Sequence, residues 1–347
     1  MLRFLTKPRR WAVTYGVMLA LAFTGVVLHT FVIPHALTPA SGATTGGSTG
    51  PTASETASED ASTQNRPERP SRESRSSSRG SSTDGDAAPS AQTSPSPDSA
   101  SSSSNDDAVI TDLSYEDDEI SITIETIRVA ETDVYVAEIT VSDPQLLKAA
   151  LANDTYGRNI SQTTSEIAGE HGAILAINGD YYGFRDSGYV VRDGVTYRDS
   201  ANDTGLVIDE NGDFTVIDET TTPLSEIVSD AWQVFSFGPA LVEDGEVVVD
   251  ANDEVSQSMR SNPRTAIGQI GTGHYLMVVS DGRTDASAGL SLAELAQVFA
   301  DHGAVTAYNL DGGGSATMVF NGQVVNNPTS GRGIKEREVS DIVYIGY

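Results

Sequence analysis

Cysteine is absent from this chain of 347 residues, and cations are scarce: 21 Lys and Arg stand against 49 Asp and Glu. Without a thiol there is no disulfide, no thiolate nucleophile, no iron–sulfur cluster and no cysteine-ligated zinc. Histidine is also sparse. Of five, His29 and His35 border an early apolar run, while His171, His274 and His302 stand far apart without the spacing of a metal motif. A formal net charge of −28 excludes nucleic acid as a partner, because one polyanion repels another.

Charge is missing locally as well. Residues 1–10 carry Arg3, Lys7, Arg9 and Arg10 with no acid, and residues 11–33 then run for 23 positions without any charge. A helix of ~20 apolar residues crosses a bilayer core, and preceding basic residues hold the N-terminus in the cytoplasm. This pattern predicts a single-pass anchor with everything after Pro34 outside the cell membrane, a cleaved signal peptide being the alternative. Residues 34–107 are almost wholly Ser, Thr, Ala, Gly, Pro, Asp, Glu and Arg. With so little apolar surface to offset ordering entropy, that segment is expected to be a disordered stalk.

Residues 108–347 carry the apolar patterning of a folded domain, long enough to build a core without disulfides. Its 39 acids against 12 cations form a solvated acidic surface. Residues 120–129 and 134–141 alternate like paired strands joined around 131–133. Asp193-Gly194, Asn211-Gly212, Asp244-Gly245 and Asn321-Gly322 are hairpin dipeptides, since these residues tolerate positive φ. Further buried strands are expected at 174–177, 234–237, 265–270 and 275–279. The clearest helix is 292–300, with Ser291 and Glu294 forming a capping box that gives Glu294 a structural task. Weaker helices are expected at 145–151, 165–170 and 223–228. The order of elements predicts one strand-rich α+β domain with a mixed, twisted sheet and several hairpins.

The richest segment is NLDGGGSATMVFNG, residues 309–322. Gly312, Gly313 and Gly314 remove three successive side chains, which suits backbone that approaches something closely or takes positive φ. Around them Asn309, Asp311, Ser315 and Thr317 supply an amide, a carboxylate and two hydroxyls, a set suited to a polyol or a phosphate. Two other segments complete the pattern: AINGDYYGF at 176–184 and NPRTAIGQIGTGHYLMVVSDGRT at 262–284. With RTAIG, DGRT, GLSLAELA, NLDGGGSAT and NPTSG…REVS in this order, the chain resembles the phosphodiester glycosidase family. The resemblance is densest from Arg264 to Val343 and extends more loosely back to Ile174.

That resemblance implies hydrolysis of the bond between a sugar (N-acetylglucosamine-like) and a phosphodiester, plausibly in envelope polymer or exopolysaccharide metabolism. A phosphodiester departs as a stable anion, so the enzyme must mainly stabilise an oxocarbenium-like sugar and supply water or a nucleophile. The carboxylates available are Asp180, Asp281 and Asp311. Arg264, Arg283 and Arg337 are candidate phosphate partners, since a guanidinium fork matches phosphate oxygens. Tyr181, Tyr182 and Phe184 suit a sugar face, and Asn178, Gly179, Asn309 and the glycine triplet with Ser315 and Thr317 complete a binding set. Each has a bland alternative: Asp281 an Asx turn, the aromatics a core, Arg264 a structural ion pair. The partner implied is a sugar-phosphate or polysaccharide. No cofactor is required, though clustered aspartates leave room for Ca²⁺ or Mg²⁺. Gly313-Gly314-Ser315-Ala316-Thr317 is not a serine-hydrolase elbow, because Thr317 replaces the second glycine and a strand follows. A metal-dependent phosphodiesterase and a non-catalytic polysaccharide-binding module on a stalk remain the other classes.

Overall fold

Three antiparallel sheets carry the domain in the computed structural model, which describes residues 6–40, 108–249 and 261–347. All of these residues belong to one compact unit. The largest sheet has nine strands, built around the pairs Arg264–Gly271 with His274–Ser280, and Thr132–Val141 with Ile120–Val129. A five-stranded sheet centres on Leu175–Asn178, flanked by Met318–Phe320 and by Asp341–Ile345. A second five-stranded sheet includes Val190–Arg192, Thr204–Asp209 and Ala231–Phe235.

Every strand pairing among the described residues is antiparallel, so the expected mixed sheet is not found. The turn chemistry explains this: the chain reverses by hairpins, and two-residue turns join antiparallel neighbours only. Asp193 and Gly194 sit at φ 48° and 74°, Asp244 and Gly245 at 52° and 79°, and Asn321 and Gly322 at 46° and 74°. Asn211 and Gly212 instead lie within a longer loop between Asp209 and Phe214, where only the glycine has positive φ. The first hairpin turns at Ala130 and Glu131, slightly ahead of the expected position.

The His274–Ser280 strand shows how the layers assemble. Tyr275, Met277 and Val279 face a core shared with Leu175, Ile177, Met318, Phe320 and Val343 of the five-stranded sheet. Leu276 and Val278 point the other way, onto Leu292, Leu295, Ala296 and Phe299 of helix Leu292–Asp301. The period of two thus buries both faces of one strand. Helix Thr164–Glu170 covers the outer face of the five-stranded sheet through Ile167 and Ala168. Both helices begin at a capping box, Thr163 with Glu166 and Ser291 with Glu294. The order is therefore helix, sheet, sheet, helix.

Two expectations differ. Residues 145–151 form no α-helix; a short 3-10 turn, Pro144–Leu146, leads into the strand Leu147–Leu151. That segment pairs along its whole length with Asp341–Ile345, a partner nearly 200 residues away, and the long-range ladder overrides local helical preference. At the N-terminus a helix runs Thr6–Phe31, with side chains described at residues 15–30. Among the described residues no helix is long and apolar enough to cross a membrane, so the anchor expected at 11–33 is not found among them. Residues 41–107, most of the expected stalk, and the acidic loop beginning at Asp250 lie outside the described residues.

Candidate active site

Two strand ends meet beneath the site. Leu175–Asn178 of the five-stranded sheet delivers Gly179, Asp180 and Tyr181; Thr306–Asn309 of the nine-stranded sheet delivers Asp311 and the glycines. Asn178, fully buried, ties them together. Its Oδ1 accepts from Thr265 Oγ1 (2.8 Å) and Thr317 N (3.2 Å), and its Nδ2 donates to the Asp311 carbonyl. Asn178 is thus the knot that holds the glycine loop, and it does not line the cavity above.

The glycines are needed for different reasons. A Cβ on Gly312 would lie 2.6 Å from the Pro263 carbonyl, which also accepts from Gly313 N. Gly313 takes φ 64° and a side chain there would meet the Arg283 guanidinium at 2.8 Å. Gly314 lies under the Arg337 side chain. Backbone and arginine side chains are what the triplet approaches so closely.

Over this floor lies a cavity of about 470 Å³. Asp180, Tyr181, Phe184, Asp311, Ser315 and Arg337 line it, joined by Lys335 and Glu336. Asp311 Oδ2 accepts from Ser315 Oγ (2.6 Å) and from Arg337 Nη2 (2.8 Å), and Arg337 Nε donates to Ser315 Oγ (2.9 Å). Among the described residues, Asp311 Oδ1 and Arg337 Nη1 have no hydrogen-bond partner. Burial raises the Asp311 carboxyl above its ordinary value, and Arg337 and Ser315 pull it back only in part. Opposite, Tyr181 and Phe184 stack at 4.8 Å between ring centroids.

The other expected residues lie elsewhere. Asp281 is buried beside the turn at 326–327, where it accepts from Asn327 N (2.7 Å) and Asn327 Nδ2 (2.8 Å); it does not line the cavity. This is the structural role that an aspartate at a strand end takes when backbone donors converge on it. Arg264 is buried in its strand with Nε donating to the Leu290 carbonyl (2.8 Å). Arg283 holds Asn262 Oδ1 and packs on Gly313, outside the cavity. Asn309 donates to the Gly238 carbonyl (2.7 Å); among the described residues its buried Oδ1 has no partner, and neither has the buried Thr317 hydroxyl. Tyr182 is core, with its phenol donating to the Ser340 carbonyl (3.3 Å).

The sequence reading missed a buried charged group under the cavity. Arg192 Nη2 lies 2.9 Å from Asp180 Oδ2 and 2.7 Å from Asp341 Oδ2, all three side chains being essentially inaccessible. Burial works against the Arg192 charge, but the two carboxylates raise its pKa nonetheless. Burial pushes the Asp341 carboxyl up to about 8 despite Arg192, and Asp180 pushes the same way. One cation cannot balance two dry carboxylates, so a retained proton on Asp341 brings the group closest to neutrality. Gly179 carries no side chain because the Asp341 carboxyl occupies that space. The available signal was Arg192 itself: an arginine inside the apolar run YVVR implies a buried acidic partner. Lys335 was legible in KERE, two positions before the expected Arg337.

Among the described residues no group of three histidine, aspartate or glutamate side chains is arranged to hold a metal ion.

Comparison with known proteins agrees with this architecture. The family model described as phosphodiester glycosidase matches residues 171–346, which include both strand ends and the whole cavity floor. The SPbeta prophage-derived uncharacterized protein YomE of Bacillus subtilis is 30% identical over 202 residues, 55% of this chain and 31% of its own length. The Mus musculus N-acetylglucosamine-1-phosphodiester alpha-N-acetylglucosaminidase is 42% identical over 66 residues, 19% of this chain and 13% of its own. The chain therefore spans less than a third of these curated relatives. The solved catalytic domain of the zebrafish enzyme of that name, auto-inhibited by its pro-peptide, shares the fold with a TM-score of 0.54 at 22% identity, over 66% of this chain and 83% of that one. With a family match covering half of its length and a fold to accompany it, the chain belongs to the phosphodiester glycosidase family.

Proposed function

We propose that this chain hydrolyses the glycosidic bond of a sugar-1-phosphodiester in the Asp311 cavity. The observation that carries the reading is the asymmetry of Asp311: one oxygen is clamped by Arg337 and Ser315 while the other has no partner among the described residues. A sugar ring stacked on Tyr181 and Phe184 would present its anomeric carbon between that carboxylate and the cations Arg337 and Lys335. The departing phosphodiester is already a stable anion and needs charge neutralisation more than a proton, which the Arg337 Nη1 donor and Lys335 supply. Asp311 then acts in its ionised form, on the oxocarbenium-like sugar or on the attacking water. N-acetylglucosamine is the sugar to try first, since mouse and zebrafish relatives carry it in their names.

The location is part of the same proposal. The uncharged run at 11–33 behind a basic N-terminus supports a membrane-tethered enzyme acting outside the cytoplasm, on envelope or exopolysaccharide material. Selective labelling of residues after 34 in intact cells by an impermeant reagent tests that placement; protection of those residues would remove it.

For the chemistry, the methyl phosphodiester of N-acetylglucosamine 1-phosphate is incubated with the full chain and free sugar is followed. Release is expected, falling as pH drops through a midpoint above the ordinary carboxylate range because the Asp311 carboxyl is raised. Saturable binding without any sugar release would favour the binding-module reading instead.

A further inference from the structure

The N-terminal helix ends against the domain. Asn159 Nδ2 donates to the carbonyls of Thr30 and Ile33, 3.2 Å each, closing the C-terminal end of Thr6–Phe31. His35 and Ala36 then pair as a short strand with Arg158 and Gly157, and Leu37 N donates to the Tyr156 carbonyl (2.8 Å). Gly157 permits this pairing, since a side chain there would run into the His35 carbonyl.

This strap forms one side of a second concavity of about 610 Å³. Val32 and Pro34 line it from the strap; Ile160 and Phe184 line it from the domain. It shares Ser161, Phe184 and Glu338 with the Asp311 cavity, so the two adjoin. Beside it ends the helix Thr6–Phe31, whose Leu19, Leu21, Phe23 and Val26 are each between 60% and 70% exposed. The lining is mixed, since Asn153, Thr155, Asn159, Ser161 and Glu338 share it with the four apolar side chains from strap and domain, and its apolar part lies between the Tyr181–Phe184 platform and the end of the helix.

Resting on the glycosidase reading above, we propose that the substrate is an amphiphile: a sugar-1-phosphodiester whose second ester is a lipid chain. The sugar and phosphate occupy the Asp311 cavity, and the first part of the lipid lies in the groove between Val32, Pro34, Ile160 and Phe184. A water-soluble leaving group would make no use of those four side chains, whereas a hydrocarbon chain is recognised by little else. In the reaction, water adds across the bond between the anomeric carbon and its phosphate oxygen. The sugar leaves with the new hydroxyl, and the lipid leaves as its phosphate monoester carrying the remaining proton.

The test compares two esters of N-acetylglucosamine 1-phosphate, methyl and farnesyl, with the full chain in detergent micelles. The readout is the ratio of kcat/KM for farnesyl over methyl. That ratio is expected to be about tenfold or more, to fall toward one in Val32→Asp, and to persist in Val32→Leu. A wild-type ratio near one overturns the proposal, as does a high ratio indifferent to Val32→Asp. If neither ester is hydrolysed, the glycosidase reading fails, and a farnesyl ester with a photoreactive tail still decides the groove. Crosslinks at residues 32–34 or 160–184 support lipid binding there; crosslinks elsewhere overturn it.

Discussion

Asp311 and Asp281 stand at corresponding places in two motif segments, each aspartate followed by glycine just beyond a strand, yet the fold uses them in opposite ways. Asp281 sits in a corner where Asn326 and Asn327 turn toward it, and both of its oxygens accept from donors of that turn. Asp311 spends one oxygen on Ser315 and Arg337, and its other oxygen, beside a cavity, has no partner among the described residues. On the proposed function, spare hydrogen-bonding capacity at an accessible place is what separates the reacting carboxylate from the structural one, and sequence neighbours do not reveal it. The Asp180–Arg192–Asp341 group underneath extends the contrast: it gathers three ionisable side chains, all of them shielded from solvent.

The sharpest way to break this comparison is to neutralise each aspartate in turn. Asp311→Asn should cut kcat/KM by roughly 10²–10⁴-fold while leaving the thermal midpoint close to wild type. A comparable loss from Asp281→Asn with an unchanged midpoint would overturn the distinction. Next in size is Arg192→Met, which strands the buried Asp180 carboxylate beside Asp341 and should cost about 3–5 kcal/mol in urea unfolding, as expected when one member of a buried ion pair is removed. A stability near wild type would mean that the carboxylates shed their charge without cost. Asp281→Asn itself should lose about 1–3 kcal/mol of stability, by weakening the clasp on 326–327, with kcat changed only a few-fold.

Smaller effects refine the picture. A carboxyl whose pKa is raised on folding contributes stability that is complete at low pH and lost as pH rises toward the folded value. For Asp341 that window runs from the ordinary 3.8 up to about 8. Wild-type thermal midpoints should therefore fall across this range more steeply than those of Asp341→Asn, and parallel slopes would count against the retained proton. The smallest expected change is at the rim. Phe184→Ala should raise KM about 3–10-fold with kcat nearly intact, the scale of one lost aromatic face; an unaltered KM would remove Phe184 from the sugar platform.

Local chemistry carried much of the fold into view. The Asn-Gly and Asp-Gly hairpins, the capping box at Ser291 and the apolar run at 275–279 each depend on residues within a few positions of one another. Such features are written where they act. The strand at Leu147–Leu151 was misread because its identity comes from Asp341–Ile345, and a partner that distant leaves no trace in a seven-residue window. The mixed sheet was misjudged for a related reason, since strand direction follows from which distant strands become neighbours.

The site divides along the same line. From sequence alone came the family, the glycine triplet and the candidates Asp311, Arg337 and Tyr181, which the fold brings to one cavity, because a dense motif of small and polar residues is an unusual use of chain. Only the tertiary structure separated Asp311 from Asp281, turned Asn178 and Arg264 inward, and set Arg192 between Asp180 and Asp341. Hydrogen-bond satisfaction and burial are properties of everything that surrounds a side chain, and in this domain those surroundings are gathered from strands that folding alone brings together.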